Sequence, residues 1–154
     1  MWSSRLYFIT LSLVALTLIA PMAHLLELSR KIGMSGDEYL IVQKIYFGWA
    51  WLGSVIFLAL VSTLTLAIVI RDDHLASLLA AGAFIGVACT QLVFWVYTFP
   101  VNRATRNWTI LPDAWMALRR QWEYSHAASA ILSLIAFLLL AASVVVRLGR
   151  GLPK

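Results

Sequence analysis

The sequence predicts an all-α fold: a four-helix transmembrane bundle with two longer, partly helical connections on one side and a long last helix that extends out of the membrane. Three observations carry this. The chain is 62% hydrophobic and only 12% charged, whereas a soluble domain carries about 25% charged residues. Its apolar residues gather in four runs of roughly twenty or more, the length that crosses about 30 Å of hydrocarbon. Seven tryptophans fall largely near the ends of these runs, where amphipathic rings anchor at the membrane surface.

The runs are about Leu6–Leu28, Tyr46–Ile70, Leu75–Phe99 and Ala127–Val146, within one domain spanning residues 1–154. The first has the basic start and apolar core of a secretory signal. It is longer than a typical signal core, and cleavage after Ala23 would leave Pro21 in a poor position, so we read it as a span. Four spans put both ends and the "RDDH" turn on one side (side A), and the connections 29–45 and 100–126 on the other (side B). Side A holds Arg5, Arg71, Arg147, Arg150 and Lys154; side B holds Arg30, Lys31, Lys44, Arg103, Arg106, Arg119 and Arg120. The short turn and basic tail favour side A as cytoplasmic.

Both connections have helical signals. Ser35 and Glu38 form a capping-box pattern, and a helix is expected from Asp37 into the second span. Pro100 is expected to end the third span. Pro112 and Asp113 in "ILPDAW" suit a first helical turn, after which nothing breaks the chain to Val146. At 1.5 Å per residue that helix is about 50 Å long, so its start must emerge from the bilayer or lie in its interface. Gly82, Ala83, Gly86 and Ala88 give the third span small residues for close helix contacts.

Net charge is +5, spread through loops and ends, so basic span flanks account for it and no nucleic-acid partner is implied. Cys89 is the one cysteine, which excludes an intrachain disulfide. "NWT" at Asn107 matches a glycosylation acceptor, a triplet common by chance.

The chemistry lies in two mirrored pairs. "PMAHLLELSRK" carries His24 and Glu27 at the side B end of the first span; "RRQWEYSHAAS" carries Glu123 and His126 at the start of the last. Residues three apart share a helix face, and the two helices run in opposite directions. The histidines therefore lie at one depth and the glutamates at another, and neighbouring helices would bring all four together. Ionisable groups at such depth face the bundle interior and pair. His24, Glu27, Glu123 and His126 could ligate a transition metal (iron, copper or zinc), and the histidines could hold non-covalent haem axially. No C-x-x-C-H is present, so c-type haem attachment is excluded. Equally, the pairs could bond one another, Arg30, Lys31 or Arg119, or act as acid and base with no cofactor, with His24 and His126 catalytic. Di-iron bundles use Glu-x-x-His on paired helices but take further carboxylates from the other two; the second and third spans have none, which disfavours such a site unless Asp37, Glu38 or Asp113 folds back. The "FPVNRATRNWT" segment reads as a polar lid, with Asn102, Arg103, Trp108 and Arg119 placed to bind a phenolate-like ligand, or as a headgroup-binding loop.

"AHLLELSRKIGMSGDEYLIVQKIYFGWAW" and "PVNRATRNWTILPDAWMALRRQWEYSH" resemble the small four-span membrane family that includes the anthrone oxygenases. The features in common are the His-and-Glu end of the first span, Pro-x-Asn after the third, and "W...LRRQWE" followed by His. The resemblance implies a four-helix membrane protein, and oxidation of an activated phenolic carbon by O2. Such a reaction needs a base, groups steadying the phenolate and an apolar pocket; a metal could instead activate O2. Three readings follow: an O2-dependent oxidoreductase acting on a lipophilic small molecule, with Trp49, Trp51, Phe94, Trp95 and Tyr97 as its walls; a non-catalytic subunit docking on other membrane subunits; or a proton or ion pathway. The last is disfavoured because mid-membrane positions offer Gln91 and hydroxyls but no ionisable chain. In each reading the lipid bilayer is the surrounding partner.

Overall fold

A computed structural model describes residues 2–150, with side chains from Ser4; Met1 and the tail 151–154, including Lys154, lie outside the described residues. The chain is all-helical. Its helices are α1 (Trp2–Thr17), α2 (Ile19–Lys31), α3 (Gly36–Gln43), α4 (Leu52–Val69), α5 (His74–Val93), α6 (Phe99–Ala104) and α7 (Trp115–Gly149). Among the described residues four stretches are long and apolar enough to cross a membrane: Ser4–Lys31, Trp49–Val69, His74–Ala104 and Trp115–Gly149. The protein is an integral, multi-pass membrane protein.

The first span is two helices in near continuation. Leu18 keeps helical angles, but Pro21 has no N–H to return to Thr17, and the Thr17 hydroxyl donates to Val14 O at 2.7 Å instead. α7 packs along α5 most extensively, and also on α1 and α2. Small buried residues make this possible: Ala76, Ala80, Ala83 and Gly86 on α5, and Ala130, Ser133 and Ala136 on α7, with Gly86 against Ala136. In lipid there is no hydrophobic force between helices, so close backbone approach and dispersion contacts hold them. Large apolar side chains such as Phe8, Phe57, Leu92 and Val145 are exposed on the outside, as hydrocarbon requires.

Side A is pinned by polar contacts. The Tyr7 and Ser143 hydroxyls lie 2.9 Å apart, and Ser143 donates to Ala76 O at 2.7 Å, joining α1, α7 and α5. Arg147 reaches Asp72 at 2.9 Å and Arg150 reaches Asp73 at 2.8 Å. Asp73 also accepts from Ala76 N at the start of α5, the usual cap for orphan amides.

Three local expectations change. The helix from Asp37 does not run into the second span. It begins as expected, with Ser35 N–H and hydroxyl both donating to Glu38 at 2.9 and 2.7 Å, but it stops at Gln43. Two 3-10 turns, Lys44–Tyr46 and Trp49–Trp51, follow, separated by Gly48 at φ 86°. That left-handed angle costs glycine little and breaks any helix. Pro100 does not end the third span either. Phe94–Thr98 widens into a π turn in which Phe99 N–H reaches back to Phe94 O, and Pro100 then sits in the first turn of α6, where no N–H is needed. The Gln121 side-chain amide donates to Tyr97 O at 2.9 Å, satisfying a carbonyl of this turn. Finally, Pro112 and Asp113 precede α7 in a turn closed by Trp115 N–H to Pro112 O at 2.8 Å. From Trp115 the helix is unbroken for 35 residues, about 50 Å.

Candidate functional site

α2 and α7 are neighbours, and the mirrored pairs converge at the side B boundary. The His24 and His126 rings lie 4.2 Å apart between centroids, tilted by 33°. The Trp122 ring packs edge-on against both, at 4.6 and 4.3 Å, and its indole N–H donates to Asn102 Oδ1 at 2.7 Å. Asn102 thus orients the wall between the two histidines and α6.

At the centre stands Lys31, the last residue of α2 and only 1% exposed. Its Nζ lies 2.8 Å from His24 Nδ1, 3.1 Å from Glu123 Oε1, 3.2 Å from the Tyr46 hydroxyl and 3.4 Å from Glu27 Oε2. An ammonium only donates. His24 Nδ1 therefore accepts, and its imidazole proton is on Nε2. Tyr46 donates to Glu27, and Tyr39, fully buried, donates to Glu123 Oε1 at 2.8 Å. His126 makes no hydrogen bond among the described residues.

Of the four side chains expected as a ligand set, His24, Glu27 and Glu123 converge on an ammonium, while His126 packs on the His24 ring. A cation already lies within 3.4 Å of both carboxylates, and among the described residues no group of three or more His, Cys, Asp or Glu is disposed to hold a metal ion. The two imidazoles are stacked closely enough that no macrocycle fits between them.

Arg119, Trp108 and Arg103 take separate places. Arg119 donates to Met34 O at 2.6 Å and Lys31 O at 3.4 Å, tying α7 to the end of α2 and the turn after it, while its guanidinium lies over the Tyr39 and Trp115 rings. Trp108 is buried against Tyr39, with ring centroids 4.8 Å apart. It is the last of three consecutive residues, with Arg106 and Asn107, at φ between 49° and 58°, a left-handed turn that non-glycine residues rarely sustain. Arg103 is exposed, outside the cluster. Among the described residues, Glu123 Oε2, Arg119 Nε and Trp108 Nε1 are buried with no hydrogen-bond partner.

Burial, the Glu123 carboxylate and its hydrogen bond push the Tyr39 phenol well above its ordinary pKa; burial and the Glu27 hydrogen bond do the same for Tyr46. Both phenols hold their protons more tightly folded than unfolded. Above the unfolded value of 10.0 the unfolded chain binds fewer protons, so stability falls as pH rises. We expect the melting temperature in detergent to drop between about pH 9 and 11, with a shallower fall in a Tyr39→Phe/Tyr46→Phe variant. Equal slopes would show that the two phenols titrate normally.

The sequence offered Lys31 only as one of several pairing partners for the mirrored pairs, beside Arg30 and Arg119, and not as the centre of the cluster. Its spacing was the available signal: four residues after Glu27 and seven after His24, it completes one helix face. Tyr46 was legible only as a candidate cavity liner entering the second span and nothing local marked Tyr39; the turn at Gly48 and the α3 packing bring both in.

Comparison of the chain with family models, curated proteins and solved structures found no match.

Proposed function

We propose that this integral membrane protein is an O2-dependent oxidoreductase acting on a lipophilic, phenolic small molecule at the side B cluster, without a bound metal. The observation that carries the reading is the division of labour around Lys31. Its ammonium and two carboxylates form a site for a phenolic oxygen, and two imidazoles of different hydrogen-bonding state stand beside it. His126, with no hydrogen bond among the described residues, has a ring nitrogen free to take a proton; His24, held through Nδ1 by Lys31, presents Nε2–H as a donor.

In this reading His126 removes a proton from the carbon activated by the phenol, and Lys31 steadies the negative charge as it spreads to oxygen. The carbanion adds O2 to give a hydroperoxide, which loses water and leaves a carbonyl. One oxygen atom stays with the carbon and the other leaves as water; the carbon loses four electrons and O2 gains four, so no further reductant is required. Trp122, packed against both imidazoles, excludes water from them.

O2 uptake by the detergent-purified protein with a hydroxylated anthrone tests this. His126→Ala should lower kcat by about 10²–10⁴-fold, as loss of a general base does, and His24→Ala/His126→Ala should bring uptake to the uncatalysed rate. Wild-type uptake in the double variant would sink the proposal. A second reading has its own support: both glutamates are ion-paired to Lys31, as a non-catalytic subunit with a purely structural polar core would have them. That reading gains if the wild type shows no uptake above buffer.

A further inference from the structure

A phenol already sits in the cluster. The Tyr46 hydroxyl accepts from Lys31 Nζ at 3.2 Å and donates to Glu27, and its ring packs on His24 at 4.3 Å between centroids. A substrate phenol would need the same contacts: a cation for its oxygen, a carboxylate for its proton and an imidazole face for its ring. We propose that Tyr46 occupies the phenol subsite of this protein, and that a lipid-soluble phenol enters from the bilayer by displacing it. The inference rests on the oxidoreductase reading for its substrate class, but its argument is the geometry of Tyr46.

Three features make Tyr46 displaceable. Lys31 has three N–H protons and four acceptors in reach, so losing the tyrosine oxygen strands no donor. Glu27 does lose a bond, and an incoming phenolic O–H restores it, so the exchange is near-balanced in hydrogen bonds. The backbone that carries Tyr46 is also weakly held. It belongs to a 3-10 turn followed by Phe47 and by Gly48 in the left-handed region, and 3-10 bonds are poorer than those of an α-helix. Segments with few buried contacts open most easily.

The surroundings say where the ligand comes from. Phe47 is 95% exposed, and Ile45 and Trp51 are also largely exposed. These apolar and aromatic side chains flank Tyr46 at a membrane boundary, where such rings sit among headgroups. Glu27 is the open edge of the cluster, with 41% of its side chain exposed against 2% for Lys31 and none for Glu123. A phenol dissolved in lipid would therefore meet Phe47 and Trp51, then Glu27, then Lys31 in the place Tyr46 vacates.

The test uses the whole protein in lipid nanodiscs, without oxygen so that no turnover intervenes. The probes are 4-octylphenol and its methyl ether, which lacks the O–H, read by tryptophan quenching. The wild type should prefer the phenol by about tenfold, the value of one or two hydrogen bonds. Tyr46→Phe keeps the ring and so the fold, but its side chain no longer competes for Lys31 and Glu27. Phenol affinity should rise by about tenfold and ether affinity change little. Tyr46→Ala should raise both. Phenol affinity that is unchanged or weaker in both variants would overturn the proposal, because the tyrosine would then be a bystander or part of the binding surface. Phenol binding that responds to Tyr46 with no O2 uptake would keep the subsite and remove the oxidase reading. Uptake with Tyr46-insensitive binding would do the reverse.

Discussion

Replacing Lys31 with Met should destabilise this protein more than any other single change at the cluster. The substitution keeps the length of the side chain and removes the one cation that, among the described residues, lies within 3.4 Å of both Glu27 and Glu123. Glu123 is fully buried and already has one oxygen without a partner; without Lys31 it keeps only the Tyr39 hydroxyl. Breaking a buried ion pair from one side costs about 3–5 kcal/mol, because the remaining charge is left in a poor dielectric. At about 2–4 °C per kcal/mol for a chain of this size, a melting temperature lower by roughly 10 °C is expected in detergent. The variant Lys31→Met/Glu27→Gln/Glu123→Gln removes the stranded charges with the cation and should recover most of that loss. A single variant melting within about 2 °C of wild type would mean the ammonium is solvated, and the closed cluster described above would be wrong.

The same residue shows what could be read from the chain and what could not. The four spans were legible because apolar runs of about twenty residues match the thickness of the bilayer core, and a chain this short has no soluble interior large enough to hide four of them. The meeting of His24 with His126 was legible because antiparallel helices place His-x-x-Glu and Glu-x-x-His at matched depths. The role of Lys31 was not, since a lysine at the end of a span ordinarily reaches to the headgroups. Whether it turns inward depends on acceptors from α7 and from the turn after α3. That turn was itself hidden: Gly48 lies inside an apolar run, and hydropathy does not register its left-handed backbone. Pro100 misled for a related reason. Proline blocks an α-helical hydrogen bond, but one wider π turn before it re-phases the ladder. The rescue also uses Gln121, more than twenty residues away in sequence.

Packing further along the bundle decides whether the site exists at all, and Gly86 is where that is tested most sharply. A Cβ at Gly86 would lie 2.9 Å from Ala136 Cβ and 3.4 Å from both Ala136 Cα and Leu132 O. Two of these atoms are backbone, so α5 and α7 must separate to admit it. At Gly82 the nearest atom is the end of Leu139, at 3.2 Å, which can rotate away. Overpacking of a close contact costs about 1–3 kcal/mol. Gly86→Ala should fall in that range, Gly86→Leu should exceed it, and Gly82→Ala should be close to neutral. The loss should also be felt near side B. The Thr98 and Ser125 hydroxyls, 2.8 Å apart, and the Trp122 bond to Asn102 both bridge the third span to α7, and both lengthen if the helices part. Gly86→Leu should therefore lower the melting temperature by about 5 °C or more and alter the emission of the buried Trp122 before unfolding, while Gly82→Ala does neither. Equal effects at the two glycines would show that α5 and α7 are held by something other than their close approach at Ala136, and the alignment of Trp122 against the two histidines would need another cause.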